Sequence, residues 1–146
     1  MKTEQIEEIA KRFRQAILSF PKSAFPWNSS MGICQFPTAC CGDTSQTLAT
    51  YIFEQTGIVC SYVHGRDGGD DGEIGSHAWL EYGDLVIDIT ADQFNDNGSC
   101  HAEVYIGPRT EWYNSFELSI EPDGRHSSLT DKGSLDDVYA RICSGL

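Results

Sequence analysis

Basic residues are scarce in this chain. Ten lysines and arginines stand against 22 aspartates and glutamates over 146 residues, a formal net charge of −12 at pH 7. A surface with that excess of carboxylates repels phosphate, and no local cluster of basic side chains offsets it, so nucleic acid is excluded as an expected partner. Long apolar runs are missing too. The longest are a handful of residues, far short of the roughly 18 that a membrane-spanning helix needs. The N-terminal MKTEQIEEIAKRF carries acids where a secretory signal needs an unbroken apolar stretch, so no export signal is expected and the reading is cytoplasmic. There, the six cysteines (34, 40, 41, 60, 100 and 143) are expected to be reduced thiols rather than a disulfide framework. What the chain does have is 40% hydrophobic and 11% aromatic residues, enough for a core, and a length suited to one domain over residues 1–146.

Periodicity divides that domain into an N-terminal helix and loop (1–40), a core (41–120) and a C-terminal segment (121–146). Ile6, Ile9, Ala10, Phe13 and Ile17 fall on one stripe of a helix over 3–19. Phe20-Pro21 ends it, and the prolines at 21, 26 and 37 make 21–40 an expected irregular surface segment. A second helix follows, with Asp43 as its expected cap, a buried stripe of Ser45, Leu48, Ala49 and Ile52, and Gly57 as a left-handed stop. The period then becomes strand-like over 58–63. After a loop over 66–75, strands at 77–82 and 85–90 are joined by Gly83-Asp84, a two-residue hairpin turn. That turn makes paired positions sum to 167. Ala78, Leu80, Tyr82, Leu85, Ile87 and Ile89 then share an apolar face, while His77, Trp79, Glu81, Val86, Asp88 and Thr90 share the other. Further on come a turn-rich stretch (92–99), a strand near 103–106, an aromatic segment with Trp112, Tyr113 and Phe116 as core or cleft wall, and a short C-terminal helix. Ser134 is that helix's expected cap and Leu135, Val138, Tyr139 and Ile142 its stripe.

Three side chains on this framework suit nucleophilic chemistry. Cys41 lies just before the expected start of the second helix, where unpaired N–H groups and the helix dipole favour an anion and can lower a thiol from its reference near ~8.5. His77 is positioned to serve as general base and acid, and Asp88, diagonal to it across the hairpin, to hold the imidazole in one tautomer. The competing description is a buried thiol beside a structural His–Asp hydrogen bond. Metal ligation is not expected. Asp67, Gly69, Asp71 and Gly72 resemble part of a calcium loop, but Ala78 stands where the bidentate glutamate belongs, and Cys60, His64 and Cys100-His101 lack the paired-cysteine spacing of a zinc knuckle.

The run from Cys41 to Gly65, CGDTSQTLATYIFEQTGIVCSYVHG, and the later HAWLEYGDLVIDIT resemble the core motifs of transglutaminase-like cysteine enzymes. In that family a cysteine opens a helix, an acidic residue follows two positions on, Gly-Ile ends the helix, and Val-x-Gly closes the next strand. A His-Ala-Trp strand and a strand ending in Asp-x-Thr come after. The resemblance implies an α+β fold of papain-like type, a nucleophile-bearing helix packed on an antiparallel sheet. It assigns Cys41 as nucleophile, His77 as base and Asp88 as orienting acid. Cys40 competes by adjacency, but only Cys41 is in register with Asp43, Ser45, Leu48 and Gly57. Gln35, six residues before Cys41, resembles the oxyanion glutamine of papain-type proteases and reads equally as a surface loop residue; Trp79 is expected to flank the cleft or to pack. The implied activity is hydrolysis of an amide bond in a protein or peptide, as peptidase or glutamine deamidase, without cofactor or metal. The alternative is a catalytically silent acidic binding module on the same fold.

Overall fold

The computed structural model describes residues 2–97, 100–126 and 134–146, apart from the side chains of residues 2, 96, 97 and 134. The N-terminal stripe forms helix α1 (Lys2–Leu18), and Ile6, Ile9, Ala10, Phe13 and Ile17 are all buried along it. Helix α3 (Cys41–Thr56) buries Ser45, Leu48, Ala49 and Ile52 and ends at Gly57, whose φ of +78° is open to glycine at little cost. Its start differs from expectation. Cys40 is the cap and Asp43 lies inside the first turn, where its Oδ2 accepts from the backbone N–H and hydroxyl of Ser30. Asp43 thus ties α3 to the short helix α2 (Ser30–Ile33) instead of capping its own helix.

The segment 21–40 is less superficial than its prolines suggest. It contains a 3₁₀ turn (Lys22–Ala24) and α2, and it buries Phe25, Ser29, Met31 and Cys40.

The sheet is antiparallel, with strand order β4-β3-β2-β1-β5. Strand β1 (Ser61–Gly68) begins later and runs further than its apolar residues indicate, so the loop before β2 (Ile74–Tyr82) spans only 69–73. Strands β2 and β3 (Leu85–Asp88) pair as Leu80↔Ile87, Glu81↔Val86 and Tyr82↔Leu85, the register fixed by the Gly83-Asp84 turn. Strand β4 (Tyr105–Gly107) borders β3, and β5 (Glu117–Glu121), which periodicity did not single out, borders β1. A 3₁₀ stretch (Ala91–Asn97) occupies the turn-rich region, whose Gly98 and Ser99 lie outside the described residues. Helix α4 (Glu111–Asn114) carries part of the aromatic segment. Helix α5 (Ser134–Cys143) buries Leu135, Val138 and Ile142; the expected cap at the Ser134 side chain is outside the described residues.

Both faces of the sheet are covered. Leu80, Ile87 and Ile89 pack with α1, α3 and α5 in one cluster, so the flanking helices contribute to the core as much as 41–120 does. The other face, expected to be the polar one, is buried as well: Val63, Ile74, Trp79 and Val86 lie beneath Tyr113 and Phe116. Gly65 makes this second layer possible. It pairs with His77, and a Cβ on it would lie 2.7 Å from Phe116 Cβ, so any side chain there would push the aromatic layer off the strand.

Arg14, from α1, is a buried cation with three sets of partners. Its Nη1 donates to the carbonyls of Ile89 (2.6 Å) and Glu103 (3.1 Å) and to Asp92 Oδ1 (2.9 Å), and its Nη2 to Asp92 Oδ2 (2.8 Å). The guanidinium thereby fastens α1 to the chain that leaves β3. Among the described residues no helix is long and apolar enough to cross a membrane.

Candidate active site

Strand β2 contributes His77 and strand β3 ends on Asp88, and the hairpin register sets both on the aromatic face of the sheet. Both side chains are sealed from solvent, at 0% and 1% exposure. Such burial is costly for a polar atom without a partner, and Asp88 satisfies both oxygens with four donors. Its Oδ2 lies 2.7 Å from His77 Nε2 and accepts from the Tyr113 hydroxyl at 2.9 Å. Its Oδ1 accepts from the Thr90 backbone N–H (2.9 Å) and hydroxyl (3.4 Å). Burial alone would raise the Asp88 pKa, but the His77 charge and these hydrogen bonds hold it below the ordinary carboxylate value.

An ionised Asp88 accepts only, so His77 Nε2 carries the proton in that bond and a neutral ring keeps its lone pair on Nδ1. Nδ1 is buried and forms no hydrogen bond of ordinary geometry. Cys41 stands near the ring and, after Asp88, favours its protonated form. The thiol lies beside the imidazole in a looser arrangement than a formed hydrogen bond. Burial disfavours the imidazolium, yet Asp88 and then Cys41 outweigh it and raise the His77 pKa from 6.5 to about 9.

A pKa raised on folding adds stability fully present below pH 6.5 and lost as pH rises through about 9, amounting to on the order of 3 kcal/mol. The thermal midpoint is therefore expected to fall between pH 6.5 and 9 and to lose that slope in His77→Gln; equal slopes in the two proteins would show that His77 is not the titrating group.

The cysteine in question is half-buried and is the first residue of α3. The loop before it is tethered: the Ala39 N–H donates to Gln93 Oε1 (3.1 Å), and Gln93 Nε2 donates to the Thr90 carbonyl (3.1 Å), linking the thiol's approach to the segment that follows Asp88. Its neighbour Cys40 is fully buried, its sulfur lies 3.6 Å from the Ser30 carbonyl, and burial pushes its thiol up to about 12. The same cause raises Cys60 to about 12. Of the adjacent pair, then, only Cys41 combines access with the imidazole. All six cysteines are unpaired thiols.

An aromatic collar surrounds the imidazole. The Trp79, Phe94, Trp112 and Phe116 rings lie 5.1–6.4 Å from the His77 ring, centroid to centroid. Trp79, expected to flank the cleft or to pack, is fully buried; its Nε1 donates to Glu81 Oε2 at 2.9 Å and its ring packs on Tyr113. Gln35 is exposed in the loop before the helix. Tyr113 and Gln93 are the site residues that sequence reasoning missed. Tyr113 lies in the aromatic segment already singled out, but nothing local marks its hydroxyl as a partner of a carboxylate 25 residues away. A recess of about 350 Å³ lined by His101, Tyr105, Trp112 and Tyr113 adjoins this collar. His101, next to Cys100, packs at a tilt against Trp112, ring centroids 4.2 Å apart, and burial lowers its pKa. Among the described residues no group of three or more His, Cys, Asp or Glu side chains is arranged to hold a metal ion.

No family model, curated protein or solved structure matches the chain.

Proposed function

We propose that this protein is a thiol-dependent acyl-transfer enzyme that hydrolyses amide bonds through Cys41, His77 and Asp88, on a papain-like core of transglutaminase-like type. The supporting architecture is α+β, with the Cys41 helix packed against one face of an antiparallel sheet. In the cycle, the thiol proton rests on His77 Nδ1, in keeping with the raised imidazole pKa, and the Cys41 thiolate attacks the amide carbonyl carbon, whose π electrons move to oxygen. As the carbonyl re-forms, the C–N bond breaks and His77 returns the proton to the departing nitrogen. Water then attacks the thioester with His77 again as base, releasing acid and thiol.

The observation that carries this reading is the fully satisfied Asp88. Four donors on one buried carboxylate fix the His77 tautomer and leave Nδ1 for the thiol. Such a pair orients a base and stabilises its protonated form during reaction. The acidic surface matches protein or peptide substrates with basic surroundings better than polyanions.

Incubating cell-lysate proteins with the wild type and with Cys41→Ala, followed by mass spectrometry, tests the reading. Cleavage or one-dalton deamidation products confined to the wild type are expected. Identical product lists would favour a binding module that keeps the fold without the chemistry.

A further inference from the structure

An attack on a carbonyl needs donors for the oxygen that becomes negative, and one side chain near Cys41 has an unused one. Tyr62 lies on β1, on the face toward α3, and packs against the main core cluster. Its hydroxyl stands over the first turn of the helix, where a Cβ built on Gly42 would come within 3.4 Å of it. A Cβ at that distance would be in ordinary contact, so the hydroxyl lies close against the helix start. Among the described residues this hydroxyl makes no hydrogen bond, and it is not one of the sealed, unpartnered polar atoms. Asp43, the nearest carboxylate along the helix, is already occupied by both donors of Ser30. The phenol is thus a free donor beside the turn that carries Cys41, and Cys41 in turn stands by the His77 ring, whose buried Nδ1 has no partner.

Resting on the acyl-transfer reading above, we infer that Tyr62 is a catalytic residue, its hydroxyl donating to the oxyanion formed when Cys41 attacks the substrate carbonyl. The second donor is the backbone N–H of Cys41, free at the helix start, where the dipole also favours negative charge. Tyr62 keeps its own proton throughout: the hydrogen bond strengthens as the C=O π electrons move to oxygen and relaxes when the carbonyl re-forms. Burial, with the charges of Cys41 and Asp43, raises the phenol to about 12, so it remains a donor across the neutral range. Exposed Gln35 is not needed for this role.

The test uses Tyr62→Phe in the full-length protein, with p-nitrophenyl acetate as acyl donor and iodoacetamide as a thiol probe. The substitution removes one oxygen that has no partner among the described residues, so the thermal midpoint should stay close to that of the wild type. Alkylation of Cys41, which forms no oxyanion, should be unchanged. Acylation of Cys41, read from the burst of p-nitrophenolate, should fall about 10²–10³-fold, the usual effect of removing one oxyanion donor. Acylation equal to wild type in Tyr62→Phe, with Cys41→Ala silent, would overturn the role of Tyr62 and leave the enzyme reading intact. A parallel fall in alkylation would also overturn it, since Tyr62 would then act on the thiol itself. A burst of equal size in wild type and Cys41→Ala would instead remove the acyl-transfer reading on which the inference stands.

Discussion

Asp88→Asn is expected to reduce acylation of Cys41 by p-nitrophenyl acetate by roughly 10²–10⁴-fold while the chain still folds. The amide fits the volume of the carboxylate and its oxygen can keep the donors from Thr90. Two properties are lost. The NH₂ group of asparagine, presented to Nε2, would force the proton onto Nδ1, the nitrogen that must accept from Cys41. The negative charge that raises His77 disappears as well. Removing the carboxylate from a nucleophile–His–Asp triad costs up to about 10⁴ in rate through that same tautomer error. Asp88→Ala should be worse for the fold, because the imidazole and the Tyr113 hydroxyl would both lose a buried partner, with about 3–5 kcal/mol lost in urea denaturation. Acylation within tenfold of wild type in the asparagine variant would mean that Asp88 does not orient the base.

The second large effect concerns α1. Arg14→Ala is expected to destabilise the protein by about 3–5 kcal/mol, because it strands the Asp92 carboxylate, at 16% exposure, and leaves the Ile89 and Glu103 carbonyls without their donor. Since Ile89 and Thr90 follow Asp88 directly, loosening this clamp should also slow Cys41 alkylation. Urea midpoints of Arg14→Ala and of Arg14→Met with Asp92→Leu settle the point: the double variant should recover most of the loss, because it buries no unpaired charge. A loss below about 1 kcal/mol for Arg14→Ala would show that the clamp is peripheral.

These two predictions mark the boundary of what the amino-acid order reveals. The hairpin register was legible because a two-residue turn leaves no freedom between β2 and β3, and that register alone put His77 and Asp88 on one face. The α3 stripe and its stop at Gly57 were legible for similar local reasons. Arg14 was not. It sits in a helix among other charged residues, and only the fold brings Asp92, 78 positions away, to its guanidinium. The burial of the second face was hidden because it depends on Phe116 crossing over Gly65, a contact between distant segments that no periodicity encodes. Strand β5 did carry a signal, the alternation of Leu118 and Ile120 with polar residues, but at five residues and with Ile120 half exposed it was too short to stand out. The residue type of Asp43 suits a cap, but tertiary contact with Ser30 claims its carboxylate instead.

The central claim is that His77 activates Cys41. The most direct measurement is the second-order rate of iodoacetamide alkylation at each cysteine at pH 7, by mass spectrometry, in wild type and in His77→Ala. Cys41 should react at least tenfold faster than buried Cys40 and Cys60 in the wild type, and that advantage should collapse in His77→Ala while the other cysteines keep their rates. A Cys41 rate that is indifferent to His77 would contradict the account.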